Sequence, residues 1–234
     1  MPFDSNINFI LEKAIVPEHS PELMRSLSTG EPLAIGPWVF YAASDWIMGI
    51  GYPLYDDNSS FSEALEEARA KTGAVRVFAM APSFPKNLSA YIREEDRYYA
   101  LSPRAKIPGR LLNVCERAAS KLTVEFSSDF KAGHRKLWGE FVARNAGRMN
   151  DRVRELVART PLAMAEGNLL SLDARDDKGN LAASLLIDTR PANFISYIIG
   201  AHSTENYVPG ASDLLFSRLI ELARAENRKF IHLG

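Results

Sequence analysis

Apolar residues recur every three or four positions in several parts of the chain, which is the period of an amphipathic helix. In "ASDLLFSRLIELARAENR" this spacing places Leu215, Leu219 and Leu222 on one face. The same period predicts two further helices, in "SDFKAGHRKLWGEFVARNAG" and "MNDRVRELVART". Pro161 is expected to end the second of these, because its ring cannot continue a helix.

A helix over "NSSFSEALEEARAKTGA" is predicted from its two ends. Ser60 and Glu63 have the S-x-x-E spacing of a capping box, and Gly73 supplies a C-terminal stop. The spacing in "GRLLNVCERAASKL" predicts one more helix.

Aromatic and β-branched runs between these helices predict strands. "PWVFYAASDWIMGIGYP" is typical of two strands around a tight turn, and "AVRVFAMAP" of a buried strand that Pro82 ends. Further strands are predicted in "EEDRYYAL", "TVEFS" and "KFIHLG". Three more lie in "GNLLSLDARDDKGNLAASLLIDTRPANFISYIIGAHS", where Gly179 and Asn180 tolerate the positive φ of a hairpin turn.

The two ends of the chain show the same order of predicted elements. Each has two strands, a loop that follows a glycine (Gly51 or Gly200), a helix and a last strand. This internal repeat of pattern predicts two units, residues 1–119 and 120–234. The fold class is therefore α/β (α+β), with an antiparallel meander and a crossover helix that joins two parallel strands.

Charge and composition narrow the classes of function. The formal net charge is -1, so DNA binding over a broad basic face is not expected. The single cysteine, Cys115, cannot form an intramolecular disulfide, and its apolar neighbours favour a buried structural thiol over a nucleophile. No run of residues is apolar and long enough for a membrane span, and the start lacks the features of a signal peptide, so a cytoplasmic location is expected.

The order of elements from residue 128 onward resembles the GNAT acyltransferase fold, and the text from "DKGNLAASLLID" to the end resembles its FemAB-like branch. That branch carries two GNAT-like units in one chain, which fits the internal repeat. The resemblance implies mixed sheets in which the strand before the crossover helix splays from the strand after it. The arm of an acyl donor lies in that split, and the donor's pyrophosphate lies on the helix N-terminus.

The loop "YVPGASDLL" stands where acyl-CoA enzymes of this fold carry Q/R-x-x-G-x-G/A. Aligned on Gly210, this chain has Tyr207 in place of Gln or Arg and Ser212 in place of the last small residue, and Pro209 removes one N–H donor. The resemblance implies donor binding by Tyr207, Gly210, Ala211, Ser212 and Asp213. The interpretation of Ser212 and Asp213 as an ordinary helix start stands beside it. Because FemAB-like enzymes use aminoacyl-tRNA, the donor is expected to be acyl-CoA or aminoacyl-tRNA.

Two residues of the "FISYIIGAHS" strand are candidates for catalysis. His202 can deprotonate an attacking amine, because the unperturbed pKa of an imidazole is near 6.5. Tyr197 can protonate a leaving group, in the manner of tyrosines in GNAT-type sites. The alternatives are a surface histidine and an aromatic residue of the sheet face. Alternation along the strand puts Tyr197 on one face with Ile195 and Ile199.

The other histidines are expected to be structural. His232 is predicted to be a core residue of the last strand, and His134 to lie on a solvated helix face beside Lys131 and Arg135. No motif for metal, serine or NTP hydrolysis is present, so no metal is predicted.

The resulting hypothesis is a FemAB-like or GNAT-type acyl- or aminoacyltransferase that acts on an amine or another small-molecule acceptor. Whether the chain is catalytic is left open, since a non-catalytic scaffold that binds a small molecule or a protein is the alternative. A chain that ends at the "KFIHLG" strand would leave an open sheet edge, so a missing C-terminal region, or another element over that edge, is expected.

Overall fold

The computed structural model describes residues 4–233, and the described chain forms two compact units. Unit 1 comprises residues 4–98 together with Arg190–Asn193, and unit 2 comprises residues 99–189 together with 194–233. The boundary thus falls after Tyr98 and not at the expected position between residues 119 and 120. The reason is that the segment after Tyr98 supplies a strand and a helix that pack within unit 2.

Unit 1 is built on a four-stranded sheet in the order β1-β2-β3-β4. Strands β1 to β3 are antiparallel neighbours, whereas β4 runs parallel to β3 after a crossover helix. The elements are α1 (Asp4–Lys13), a 3₁₀ turn (Pro17–His19), α2 (Pro21–Ser28), β1 (Glu31–Ile35), β2 (Trp38–Ala43), β3 (Trp46–Ile50), α3 (Phe61–Thr72), β4 (Arg76–Met80) and a second 3₁₀ turn (Lys86–Tyr91).

Two details of unit 1 differ from the predictions. Ser60 is the N-cap of α3, but its side chain makes no capping hydrogen bond, so the predicted capping box is absent. Strand β4 is not buried, because it forms the edge of the sheet and leaves Val77 and Phe78 exposed. The predicted stop of α3 is confirmed, since Gly73 takes the left-handed conformation at φ 69°.

Unit 2 is built on a six-stranded sheet in the order β5-β10-β9-β8-β7-β6. Strands β6 to β9 form an antiparallel meander, and α7 crosses over to β10, which lies parallel to β9. The elements are β5 (Ala100–Leu101), α4 (Gly109–Ala119), β6 (Thr123–Ser127), α5 (Ala132–Asn145), α6 (Asp151–Ala165), β7 (Leu170–Arg175), β8 (Leu181–Asp188), β9 (Phe194–His202), α7 (Ala211–Ala225) and β10 (Phe230–His232).

Helix α6 passes through Pro161 and ends only at Ala165, so the predicted stop at this proline was wrong. Proline has no N–H with which to bond the carbonyl of Val157. The hydroxyl of Thr160 donates to that carbonyl at 2.8 Å instead, which satisfies the acceptor and lets the helix continue.

The predicted repeat is confirmed as a repeat of topology. In both units an antiparallel strand pair leads through a loop and a helix into a strand parallel to the second member of the pair. The outer edge of β10 is covered by β5, which lies antiparallel to it. The strand predicted over "EEDRYYAL" is confined to Ala100–Leu101, and the amide of Leu233 extends the pairing by donating to the carbonyl of Tyr99.

The two faces of the unit 2 sheet differ in chemistry. One face packs against α4 and α7 through an apolar cluster that includes Leu172, Leu185 and Leu215. The opposite face lies under α5 and carries buried polar side chains. They are Ser171, Asp173, Ser184, Asp188 and Ser196.

Candidate functional site

Strand β9 extends beyond the residues with which β10 pairs. The two strands pair over only three residues, from Phe194–Phe230 to Ser196–His232. Strand β9 then continues for six residues, from Tyr197 to His202, with β8 as its neighbour on the other side. Along one edge of this second half of β9, the described sheet has no neighbouring strand.

A β-bulge in the second half of β9 decides which side chains share a face. Tyr197 pairs with Ile187, but the next pair joins Ile199 to Leu186, so Ile198 is the extra residue. Beyond the bulge, Gly200 pairs with Leu185. Residues Ala183, Leu185 and Ile187 all belong to the cluster on the α7 side, and their partners are His202, Gly200 and Tyr197.

The two predicted catalytic residues therefore point to the same face of the sheet. Strict alternation would have put Tyr197 and His202 on opposite faces, and it also predicted Ile199 on the face of Tyr197. The bulge overturns that prediction, because one inserted residue moves every later side chain to the other face.

Tyr197 is half-buried, and its ring packs on Phe216 of α7 at a centroid distance of 5.2 Å. Its hydroxyl lies over Gly200, whose backbone amide hydrogen-bonds to it. Burial raises the pKa of Tyr197 above its usual value of 10. The phenol thus keeps its proton at neutral pH, which is the form that a proton donor needs.

His202 ends β9 and is exposed, with its ring against Tyr207 at 5.9 Å. Partial burial and the nearby Arg144 guanidinium lower the pKa of His202 below 6.5, although Glu140 opposes them. The imidazole is therefore neutral at pH 7 and able to accept a proton. Arg144 also donates to the carbonyl oxygen of His202 at 3.3 Å.

Helix α5 fixes the loop that follows His202. The Glu140 carboxylate accepts hydrogen bonds from the hydroxyls of Ser203 and Thr204 and from the Thr204 amide, the last at 2.6 Å. Lys136 pairs with Glu205 at 2.6 Å. Sequence reasoning missed this anchor. Its only signal is the spacing of Lys136, Glu140 and Arg144 at every fourth position, which places them on one helix face.

The start of α7 is closely packed. Gly210 is its N-cap at φ 84°, and a Cβ there would lie 2.6 Å from a methyl carbon of Val114 in α4. The amide of Ala211 donates to the carbonyl of Val208. Since Pro209 has no N–H, the amides of Ser212 and Asp213 are those that helix geometry leaves without an intrahelical acceptor.

The remaining predicted donor-binding residues spread around this helix start. Tyr207 is exposed beside His202, Ala211 is buried, and Asp213 is exposed. Burial and the charge of Asp213 raise the pKa of Cys115, which is a buried free thiol. The structure thus brings Tyr197, His202 and Tyr207 to one side of β9, while Asp213 faces α4.

The prediction for His134 was wrong, because this residue is fully buried. Its Nδ1 accepts the Lys131 amide at 3.0 Å, and its Nε2 therefore carries the proton that bonds the Asp173 carboxylate at 2.8 Å. Arg175 donates to the same oxygen of Asp173. Burial opposes ionisation of Asp173, but the hydrogen bond from His134 and the charge of Arg175 hold its pKa below the usual range.

His232 is a buried residue, as predicted, and its ring lies 5.9 Å from that of Phe194. Burial lowers the pKa of His232 to about 4. Across residues 4–233, no three or more His, Cys, Asp or Glu side chains come together as a metal site. No helix in the described part of the chain is apolar enough over a sufficient length to cross a bilayer.

Two clefts of the described part of unit 2 lie away from Tyr197. One of about 580 Å³ is bounded by α4, β6 and α7, with Leu122, Phe126 and Leu222 among its walls. A second, of about 260 Å³, lies at the end of β7 between Arg175, Glu140 and Ser203. Neither is lined by Tyr197 or Gly210.

Similar solved structures establish the fold of this chain. FemX superposes with a TM-score of 0.64 and 11% identity, over 99% of this chain and 87% of its own. This chain has the two-unit, GNAT-type fold of FemX. The C-terminal domain of a putative lysylphosphatidylglycerol synthetase from Agrobacterium fabrum shares it, with a TM-score of 0.60 and 13% identity over 98% of this chain and 77% of that domain.

A third structure, L-PGS from Bacillus licheniformis, matches with a TM-score of 0.57 and 13% identity over 98% of this chain and 77% of its own. No protein-family model and no curated protein matches the sequence. The predicted FemAB-like fold is confirmed, and identities this low establish the fold alone.

Proposed function

We propose that this protein is an acyl- or aminoacyltransferase of the FemAB-like type, which moves an acyl group from an activated carrier to an amine. The observation that carries the proposal is the open half of β9, where the bulge puts Tyr197, Gly200 and His202 on one face. In unit 1, by comparison, β3 pairs with β4 along its whole length.

The residues of the split have the protonation states that acyl transfer requires. His202, neutral at pH 7, accepts a proton from the amine as the amine nitrogen attacks the acyl carbonyl carbon. Backbone N–H groups on the open edge of β9 are placed to stabilise the oxyanion of the tetrahedral intermediate. As the bond to the carrier breaks, Tyr197 gives its proton to the leaving oxygen or sulfur, so charge balances at both ends.

The start of α7 favours aminoacyl-tRNA over acyl-CoA as the carrier. A pyrophosphate needs several free N–H groups at a helix start. Here Pro209 has none, the Ala211 amide is bonded to Val208, and Val114 lies against Gly210. The lysylphosphatidylglycerol synthetase domain and FemX both share this fold, at 13% and 11% identity. The name of the synthetase states a lysyl group in its product.

A transfer assay with two donors tests the proposal. The protein is incubated with acetyl-CoA or with total tRNA charged with radiolabelled amino acids, and with a panel of amines that includes amino sugars and lysine-containing peptides. We expect labelled product from charged tRNA, and a loss of product in His202→Ala and Tyr197→Phe. Tyr91→Phe, at an exposed tyrosine of unit 1, is the control. Full activity in both site variants would contradict the proposed roles.

A non-catalytic scaffold is the second candidate, and one observation favours it. Side chains already fill the space next to two glycines where a donor would have to lie. The Tyr197 hydroxyl lies over Gly200 in β9, and Val114 touches Gly210 at the start of α7. On this hypothesis both places belong to the packed core, and the protein binds its partner at another surface. The scaffold would be favoured if neither donor gave a product. It would also require that the protonation states of Tyr197 and His202 stay the same when a donor is added.

A further inference from the structure

Unit 1 contains a carboxylate that lies among tyrosines. Glu18 belongs to the 3₁₀ turn Pro17–His19, and its side chain accepts a hydrogen bond from the hydroxyl of Tyr98 at 2.9 Å. The backbone carbonyl of Glu18 accepts another from the fully buried Tyr41 at 2.6 Å. Both bonds join positions that are distant in the sequence, so the main chain and the side chain of Glu18 are each held in place.

A third tyrosine completes the surroundings of this carboxylate. Tyr52 follows β3, and its ring meets that of Tyr98 edge to face at a centroid distance of 5.7 Å. The hydroxyl of Tyr98 also lies 3.3 Å from the sulfur of Met80, the last residue of β4. We call Glu18, Tyr52 and Tyr98 the tyrosine–glutamate cluster. All of it belongs to unit 1, where it lies at the C-terminal ends of β3 and β4.

The cluster holds a negative charge partly away from water. Burial raises the pKa of Glu18, although hydrogen bonds from its own backbone amide and from Tyr98 oppose the rise. Burial, and after it the charge of Glu18, also raises the pKa of Tyr52 and of Tyr98. The phenols are therefore neutral at pH 7 and do not offset the charge of the carboxylate.

Across residues 4–98 and 190–193, Tyr98 is the one side chain that bonds the Glu18 carboxylate. Arg190 of the same unit pairs with Glu22 at 3.1 Å. The adjacent His19 is neutral at pH 7, because burial lowers its pKa to about 4. A carboxylate partly withdrawn from water is costly unless a positive charge accompanies it. The cluster therefore favours a cation that these residues do not supply.

We propose that the tyrosine–glutamate cluster binds an alkylammonium group of a small molecule or a peptide. Glu18 accepts the N–H bonds of the ammonium, and the negative faces of the Tyr52 and Tyr98 rings attract its charge. None of the three side chains is fully buried, so a ligand can reach them. The inference goes beyond the proposed function, because it concerns unit 1 and needs no transfer step.

The amino group that binds here is not the one that is acylated. A nearby carboxylate favours the charged form of an amine, so an ammonium paired with Glu18 keeps its proton. A protonated nitrogen has no lone pair with which to attack an acyl carbon. The cluster thus recognises a second, unreactive amino group and selects ligands that carry one.

A purely structural bond between Tyr98 and Glu18 is the competing interpretation. A neutral glutamine would also accept the hydroxyl of Tyr98, and it would avoid the cost of a partly buried charge. The variant Glu18→Gln therefore separates the two interpretations, since it keeps an acceptor for Tyr98 and removes the charge.

Binding of a lysine derivative to the intact protein tests the inference. The probe is Nα-acetyl-lysine methylamide, which carries one ammonium group, and it is titrated by calorimetry and by amide NMR. We expect saturable binding, with shifts at the amides of residues 18, 52 and 98. The Nε-acetylated form of the probe is neutral and should bind at least about tenfold more weakly, because the charged hydrogen bond is lost.

Matched variants locate the binding. Glu18→Gln should weaken binding of the charged probe by at least about tenfold. Tyr52→Leu removes one ring and should weaken it about three- to tenfold. Glu63→Gln, the same change at an exposed carboxylate of α3, should bind the probe as the parent protein does. Equal weakening in the two glutamine variants, or equal binding of the charged and neutral probes, would overturn the inference.

Two further readouts complete the test. Should Glu18→Gln fold poorly, the parent protein decides, since an absence of shifts at residues 18, 52 and 98 would overturn the inference. Titration with 1,4-diaminobutane shows whether a free diamine or a peptide lysine is preferred. Transfer activity without ammonium binding would overturn this inference and leave the proposed function standing, whereas ammonium binding without transfer would do the reverse.

Discussion

The two units share a topology but treat the pair of parallel strands in opposite ways. In unit 1, β3 and β4 pair over five residues to the end of β3, and the amide of Gly51 adds a bond to the carbonyl of Met80 at 2.7 Å. In unit 2, β10 pairs with β9 along all of its three residues, and β9 continues for six residues beyond them. The described parallel pairing therefore reaches the end of β3 in unit 1 but covers only the first third of β9 in unit 2.

Gly51, which follows β3, and Gly200, which lies within β9, have different surroundings. A Cβ on Gly51 would lie 2.6 Å from the Cβ of Ala81, so the missing side chain lets the strands stay together. A Cβ on Gly200 would lie 3.1 Å from the Tyr197 hydroxyl, so here the missing side chain makes room for a phenol. The missing side chain thus makes room for a neighbouring strand residue at Gly51 and for side chains of the same sheet at Gly200.

The two sheets also differ in the polarity of the side chains that they bury. The central strands of unit 1 bury apolar residues such as Val39, Phe40 and Ile47, whereas those of unit 2 bury Asp173 and several serines. Buried polar groups cost stability unless they are bonded. Unit 2 therefore carries the costs that are typical of a functional site.

The largest expected effect is a loss of transfer activity in a unit 2 variant that a unit 1 variant does not show. His202→Ala should lower the transfer rate by about 10²–10⁴-fold, because the amine then loses its base. His19→Gln, at the buried histidine of unit 1, should leave the rate per folded molecule unchanged. Steady-state rates normalised to folded protein measure both, and a loss in the unit 1 variant alone would reverse the comparison.

The buried hydrogen bond between His134 and Asp173 should dominate the stability of unit 2. His134→Leu removes the hydrogen bond to Asp173 and leaves that carboxylate buried with Arg175 as its charged partner. We expect a loss of about 3 kcal/mol in the free energy of unfolding. Lys136→Gln, which breaks an exposed pair on the same helix, should cost less than about 1 kcal/mol. Urea denaturation distinguishes them, and equal costs would show that the buried pair is not structural.

The glycine pair offers a matched test of closed and open strands. Gly51→Ala should destabilise by about 1–3 kcal/mol, since its Cβ meets Ala81 and the Met80 backbone, which cannot move aside. Gly200→Ala meets the ends of Leu185 and Tyr197, which can shift, so stability should change less and transfer should fall. The comparison would be contradicted if Gly200→Ala lost more stability than Gly51→Ala while only Gly51→Ala lost transfer activity.

The smallest effect concerns pH. Because partial burial and Arg144 lower the pKa of His202, transfer should rise with pH along a limb below pH 6.5 and then level off. Arg144→Gln removes a positive neighbour, which favours the protonated imidazole and moves the limb to higher pH by a fraction of a unit. Rates with a small acceptor across pH 4.5–8 measure the shift, and movement to lower pH would exclude the interaction.

Much of this fold could be predicted from periodicity and turn residues. The meander, the hairpin at Gly179 and the crossover helix are local patterns, and their repetition indicated two units. Pro161 misled because the compensating bond comes from the side chain of Thr160. The exposure of β4 depends on its place at the sheet edge, which no local pattern records.

The catalytic roles of Tyr197 and His202 remain predictions, and the geometry that relates the two residues was not foreseen. They were chosen because His202 ends, and Tyr197 lies within, a strand to which the resemblance drew attention. Their common face depends on a bulge at Ile198, and a bulge is set by pairing with β8. His134 was misassigned because its partner Asp173 is distant in the sequence, so burial could not be inferred from helix spacing.

Hydrogen exchange measured by mass spectrometry tests the central claim most directly, because it compares the two strand pairs in one sample. Without a donor, amides of residues 197–202 should exchange faster than those of residues 47–51, since alternate amides of the former face the open edge. Charged tRNA should slow exchange at 197–202 and leave 47–51 unchanged. Equal protection of both segments, or donor protection confined to 47–51, would contradict a transfer site in unit 2.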